Sequence, residues 1–134
     1  MADTNGSAAG AGVPEGVLLG LGNPLLDMTA NVTSDTLAKY KLEANNAILA
    51  EEAHLPLYTE LRDEHGASYT AGGATQNAVR VAQWMLGTPG ATGFIGAVGQ
   101  DDFAEKMAAS ATADGVKVNY YTGGGQPTGT CAVL

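Results

Sequence analysis

An α/β fold follows from three observations. Strand-length apolar runs alternate with segments of helical spacing, one stretch reads as strand, glycine corner and helix in succession, and 134 residues at 45% hydrophobic content supply one core rather than two. Val17 to Leu21 is a short apolar run ended by Gly22-Asn23-Pro24, which predicts a buried strand entering a turn, and Leu25 to Val32 resumes extended structure. Thr33 to Tyr40, with Ser34 or Asp35 as cap and Leu37 as its apolar contact, predicts a short helix. Ala47 to Ala50 is predicted as a short strand. His54 to His65 places Leu55, Tyr58 and Leu61 at helical spacing, with Pro56 in the first turn and Gly66 past the end.

Ser68-Tyr69-Thr70 is predicted extended, Ala71-Gly72-Gly73 a flexible corner, and Ala74 to Leu86 a helix that buries Ala78, Val81, Ala82 and Met85. Trp84 is expected in the core. Ala91 to Val98 reads as a strand, and Asp101 as the cap of a helix from Asp102 to about Ala113 that Asp114-Gly115 closes. Val116 to Thr122 and Thr128 to Leu134 read as two strands of a hairpin with a long loop. Leu134 falls inside that apolar strand, so the expectation is a truncated C-terminus.

Composition narrows the function. A net charge of -8 with 6 Lys and Arg leaves no basic stripe for nucleic acid or an anionic membrane, and a small soluble partner is expected instead. Cys131 is the single cysteine, so no intrachain disulfide can form, and the expected compartment is the cytoplasm, with the nucleus as an alternative. Residues 1–15 read as a disordered Ala/Gly-rich leader without the features of a signal or transit peptide. Its Gly10-Ala11-Gly12 is followed by Val13 and Pro14 where a phosphate-binding helix would have to begin. His54 and His65 lack metal-ligand spacing and read as surface residues, and Cys131 as a buried, unreactive thiol.

Two groups could carry chemistry. Asn23 and Asp27 lie at and beyond the end of the first strand, where open α/β sheets place ligands. An ionised Asp only accepts hydrogen bonds, so Asp27 suits the two donors of a vicinal diol, although spacing alone favours a plain turn residue. Gly72-Gly73 lets backbone N–H groups approach a ligand at a helix N-terminus, and Asn77 lies one turn in; the bland alternative is a glycine corner with a surface Asn. Gly20-Leu21-Gly22 lacks the third glycine of a dinucleotide fingerprint, and no Walker-type Gly-Lys-Ser/Thr is present.

Four blocks in order, Gly20-Leu21-Gly22-Asn23-Pro24-Leu25-Leu26-Asp27, Asn46-Ala47-Ile48-Leu49-Ala50-Glu51, Ala71-Gly72-Gly73-Ala74-Thr75-Gln76-Asn77 with Val81-Ala82-Gln83-Trp84-Met85, and Gln126-Pro127-Thr128-Gly129-Thr130-Cys131-Ala132, resemble the adenosine kinases of the ribokinase family. The resemblance implies that residues 16–134 are the N-terminal part of a three-layer α/β/α domain with a small β-sheet lid, to which strands around Thr29, Ile48, Tyr120 and Thr130 contribute. It implies ATP-dependent phosphorylation of the adenosine 5′-hydroxyl, with Mg2+ accompanying ATP, by a protein that is a monomer at full length.

By the same resemblance, Asp27 binds the ribose diol, Asn23, Gly73 and Asn77 complete the sugar contacts, Gly72 supports the turn, and Leu25 and Leu49 line the nucleobase pocket. The family's Gly-Ala-Gly-Asp segment, with its catalytic Asp and most of the ATP site, is expected beyond Leu134, which would leave these residues inactive alone. Ala104, where the family often has Gly, is a minor departure. A non-catalytic nucleoside-binding module and another sugar or nucleoside kinase of the same fold are the competing readings.

Overall fold

The computed structural model describes residues 13–134. Most of the leader expected over 1–15, including Gly10-Ala11-Gly12, lies outside them, but Glu15 is tied down by Lys117 Nζ at 2.5 Å. In chain order the elements are β1 (Leu18–Leu21), β2 (Leu25–Thr29), α1 (Ser34–Lys39), a 3-10 turn (Glu52–His54), α2 (Leu55–Asp63), β3 (Ser68–Gly72), α3 (Ala74–Leu86), β4 (Thr92–Ala97), α4 (Asp102–Ala113), β5 (Lys117–Tyr121) and β6 (Thr130–Val133). The α/β expectation holds.

The strands form two three-stranded sheets. One is parallel in the order β1-β4-β5; the other is mixed in the order β3-β2-β6, with β2 antiparallel to β3 and parallel to β6. The expected hairpin is therefore absent: β5 and β6 are sequence neighbours in different sheets. Thr29 and Thr130 share the mixed sheet, whereas Tyr120 belongs to the parallel one. Ala47 to Ala50 forms no strand. Among the described residues no strand pairs with that run, and apolar content alone does not make a strand.

Caps and turns fix the helix ends. Thr33 is extended and its hydroxyl accepts from Thr36 N, so α1 is capped one residue earlier than Ser34 or Asp35. Asp101 caps α4 as expected, accepting from Ala104 N at 3.0 Å. Pro56 sits in the first turn of α2, where its missing N–H costs nothing. Lys39 Nζ and Tyr40 OH both donate to Glu60, joining α1 to α2. The two histidines are half-buried, not surface residues: His54 Nδ1 accepts from Glu51 N, and His65 Nε2 lies 3.6 Å from Glu60.

Helix α3 has the expected bounds but turns a different face inward. Gln76, Val79 and Gln83 are buried, while Ala78, Val81 and Met85 are exposed and Trp84 is 81% exposed. The buried amides are affordable because they are bonded. Gln83 Oε1 accepts from both Thr92 N and Thr92 Oγ1 at 2.9 Å, and its Nε2 donates to Thr88 O at 2.6 Å. Val79 comes close enough to β1 that a Cβ on Gly20 would lie 2.4 Å from its Cγ2.

Each sheet has one covered face. Phe94 packs with Val79 and Val116 beneath α3, and its ring meets Tyr120 edge-on at 6.2 Å. Helix α4 carries Met107 and Ala111 against Leu26 and Ala71 of the mixed sheet, and Met28 packs with Leu57 and Leu61 of α2. Among the described residues nothing covers the other face of the parallel sheet, so β1 is not the buried strand expected: Leu21 is 74% exposed and Leu19 is also exposed.

Candidate functional site

The other face of the mixed sheet is open too, but polar. Alternation along β2 sends Leu26 and Met28 into the core and Leu25, Asp27 and Thr29 outward, where register places Asp27 beside Thr70 of β3 and Cys131 of β6. The Asp27 carboxylate lies over Gly72, since a Cβ there would come within 2.4 Å of its Oδ2. Partial burial raises the Asp27 pKa above the ordinary carboxylate value, and the positive charge of Arg80 pulls it part of the way back. Burial, and then Asp27 itself, pushes the Cys131 thiol up; the side chain is half-buried, not fully so.

Gly73 closes the corner. Its φ is +96°, a region side chains rarely adopt, and a Cβ on it would meet Asn23 O at 2.6 Å and Leu25 N at 3.3 Å. The glycine is required because β3 enters α3 directly across the Asn23-Pro24-Leu25 backbone. As the N-cap of α3, Gly73 provides no side-chain cap, so the first helical N–H groups face the corner with the positive end of the helix dipole. Asn23, Leu25, Asp27, Gly72 and Gly73 are thus brought together.

Asn77 extends the corner by one turn. Its N–H donates to Gly73 O at 2.8 Å, and its Oδ1 accepts from Arg80 Nη1 at 3.1 Å. Leu49 is not brought in: it is 91% exposed on the irregular stretch after α1. A cleft of about 400 Å³ between Gln100-Asp101 and Gln126-Pro127 contains none of these seven residues.

Two further residues organise the corner. Gln76 is fully buried, donates from Nε2 to Gly72 O at 3.1 Å and accepts from Tyr120 OH at 2.5 Å, which ties the end of β3 to the parallel sheet. Burial pushes the Tyr120 hydroxyl up to about 12, so it remains a donor. Arg80 donates to Ala71 O and pairs with Asp114 Oδ2 at 2.5 Å. A signal for each existed: Gln76 shares the inward helical phase of Val79 and Gln83, and Arg80 stands three residues after Asn77, on the same side of the helix. Among the described residues no three His, Cys, Asp or Glu side chains gather as metal ligands.

The sequence and fold are similar to those of known proteins. Residues 35–134 match the profile of the pfkB family carbohydrate kinase. The chain is 54% identical over 119 residues to adenosine kinase 2 of Arabidopsis thaliana and 46% identical over 114 residues to adenosine kinase of Schizophyllum commune, covering 89% and 85% of this chain but 34% and 33% of those proteins. Its structure is similar to Anopheles gambiae adenosine kinase in complex with P1,P4-di(adenosine-5) tetraphosphate, at 52% identity and a TM-score of 0.75, over 89% of this chain and 36% of that one. Adenosine kinase from Schistosoma mansoni in complex with adenosine gives 32% identity and a TM-score of 0.75, over 91% and 36%. The chain spans about a third of the length of these relatives. With a profile match extending over more than half of its length, the chain belongs to the pfkB family of carbohydrate kinases.

Proposed function

We propose that residues 16–134 form the nucleoside-binding part of an adenosine kinase. The whole protein transfers the γ-phosphoryl group of ATP to the 5′-hydroxyl of adenosine: the 5′-oxygen bonds to the γ-phosphorus, ADP leaves, and the hydroxyl proton passes to a base in the part of the relatives that this chain does not span. The observation that carries the reading is Asp27, a partly buried carboxylate over a glycine, at a corner that also holds a helix N-terminus.

In this reading Asp27 accepts both protons of the ribose diol, and Asn23, Gly73 and Asn77 hold the sugar. Gly72 leaves room for the carboxylate. Leu25 flanks the base, and Leu49, exposed in the free chain, covers it once the mixed sheet closes as a lid. Mg2+ would accompany ATP in the part of the relatives that this chain does not span, and no step here passes through it. The protein works as a cytosolic monomer on adenosine and ATP.

Calorimetry and AMP formation with the full-length protein test this. Asp27→Ala should weaken adenosine binding by about 1.5–3 kcal/mol, roughly ten- to 150-fold. Unchanged affinity removes Asp27 from the site. A preference for a free sugar would make the protein a sugar kinase, and adenosine binding without AMP formation would make it a binding module.

A further inference from the structure

Asn77 can serve a ligand in two opposite ways, since one side of its amide accepts hydrogen bonds and the other donates them. Arg80 decides which. A guanidinium carries donors only, and its Nη1 donates to Asn77 Oδ1 at 3.1 Å, so the amide oxygen stays with Arg80. The two Nδ2 donors are left for something outside the chain; no described residue accepts from them. Arg80 is itself held in place, with Nη1 donating also to Ala71 O in β3 and Nε paired with Asp114 Oδ2 at 2.5 Å. Its side chain is 22% exposed, which fits a fixed group better than a solvated one.

On the other side of the corner the arrangement is complementary. Asp27, ionised, offers only acceptors, and it lies against Gly72, the residue after the carbonyl that Arg80 holds. An acceptor and an oriented donor together select a group that both gives and takes a hydrogen bond. A hydroxyl does; a keto oxygen or an ether only takes one, and a methylene does neither.

We propose that Arg80 is a positioning residue, which turns the Asn77 amide so that a ligand hydroxyl gives its proton to Asp27 and takes a hydrogen bond from Asn77. The inference rests on the nucleoside reading above and assigns Arg80 a part in recognising the sugar, not in the transfer. An arginine serving only to pin α3 to β3 would, on removal, weaken all ligands alike.

The experiment compares adenosine with 2′-deoxyadenosine and 3′-deoxyadenosine on the full-length protein, measuring KM and kcat for each. The wild type should favour adenosine over at least one of them by about a hundredfold or more in kcat/KM. In Arg80→Met that ratio should fall by about tenfold, through KM with little change in kcat, because the freed amide no longer presents its donors. Arg80→Lys, which keeps a donor-only cation, should restore most of the ratio. Asn77→Asp keeps the contact with Arg80 and removes the donors, so it should lose the ratio even if Arg80→Met does not fold.

A wild-type ratio in folded Arg80→Met or in Asn77→Asp overturns the inference. A wild type that does not distinguish the deoxy compounds from adenosine overturns the nucleoside reading instead.

Discussion

In the parallel sheet the open face carries Leu19, Leu21 and Tyr121 with Lys117 and Asn119, all exposed, whereas in the mixed sheet Asp27, Thr29, Thr70 and Cys131 lie between Leu25 and Val133. Leu19, Leu21 and Tyr121 gain from being covered, since apolar area removed from water is worth about 25 cal/mol per Å². The second holds a partly buried carboxylate, Asp27. Two glycines repeat the contrast: a Cβ on Gly20 would lie 2.4 Å from Val79 Cγ2, and one on Gly72 would lie 2.4 Å from Asp27 Oδ2. A tight glycine against a core methyl reports packing. At Gly72 the close neighbour is instead a carboxylate that can rotate.

The largest effect is expected where both kinds of constraint coincide. Gly73→Ala forces a side chain into φ +96° and sets its Cβ 2.6 Å from the Asn23 carbonyl, a backbone atom that cannot swing aside. The combined strain and overlap should cost about 3 kcal/mol or more, and chemical denaturation would measure it. A variant as stable as the wild type would show that the corner is not rigid.

Gly20→Ala and Gly72→Ala come next and separate the two sheets directly. Gly20→Ala should destabilise by about 1–3 kcal/mol, because Val79 is buried and confined, and folded protein should bind nucleoside as before. Gly72→Ala should cost little stability, since the Asp27 carboxylate can rotate away, but binding should fall about tenfold as the carboxylate leaves its place. Denaturation and calorimetry on both variants decide it. Matching behaviour of the two would erase the distinction between packing glycine and site glycine.

Sequence reading succeeded where chemistry is local and failed where it depends on partners. The bounds of α3 and the corner before it were legible, because Gly72-Gly73 and Gly87 mark the ends whatever packs nearby. The inward face of α3 was not: hydrophobicity selected Val81, Trp84 and Met85, while Gln76 and Gln83 went inward, their amides finding partners in β3, β4, β5 and the turn that follows α3. Nor could adjacency along the chain reveal that β5 and β6 pair with different sheets. That Asn23 and Asp27 lie near one corner was legible from the turn after β1, although Asp27 itself is within β2. Arg80 was missed because a helical Arg reads as solvated until β3 and α4 are placed around it.

Asp101 holds the two regions together, so its removal should show a smaller, shared cost. Its Oδ1 accepts from Ala104 N and Thr128 Oγ1, and Oδ2 accepts from Thr128 N at 2.8 Å, linking the start of α4 to the approach to β6. Burial works against the charge, but these hydrogen bonds outweigh it and hold the carboxyl below its usual value. A depressed carboxylate stabilises above its unfolded pKa of about 3.9, and that contribution is lost as pH falls through the folded value. Asp101→Ala should therefore cost about 0.5–2 kcal/mol at pH 7, with the gap closing under acid. A gap independent of pH would mean that shape, not charge, is what the side chain contributes.

The smallest effect should have the opposite sign. Asp27 has its folded pKa raised, by burial first, with Arg80 opposing. A raised carboxyl binds its proton more tightly in the folded chain, so its stabilising contribution is complete below the unfolded pKa and lost as pH rises through the folded value. At pH 7 the ionised group is a liability to folding, moderated by its partial exposure and by Arg80. Asp27→Asn keeps the shape and removes the charge, so it should melt slightly above the wild type at pH 7, with the difference vanishing below about pH 4. The same substitution should weaken nucleoside binding, because an amide accepts with one atom where a carboxylate accepts with two. If Asp27→Asn instead melts lower at pH 7, the carboxylate is holding the fold together, and the polar face of the mixed sheet would no longer differ in kind from the packing around it.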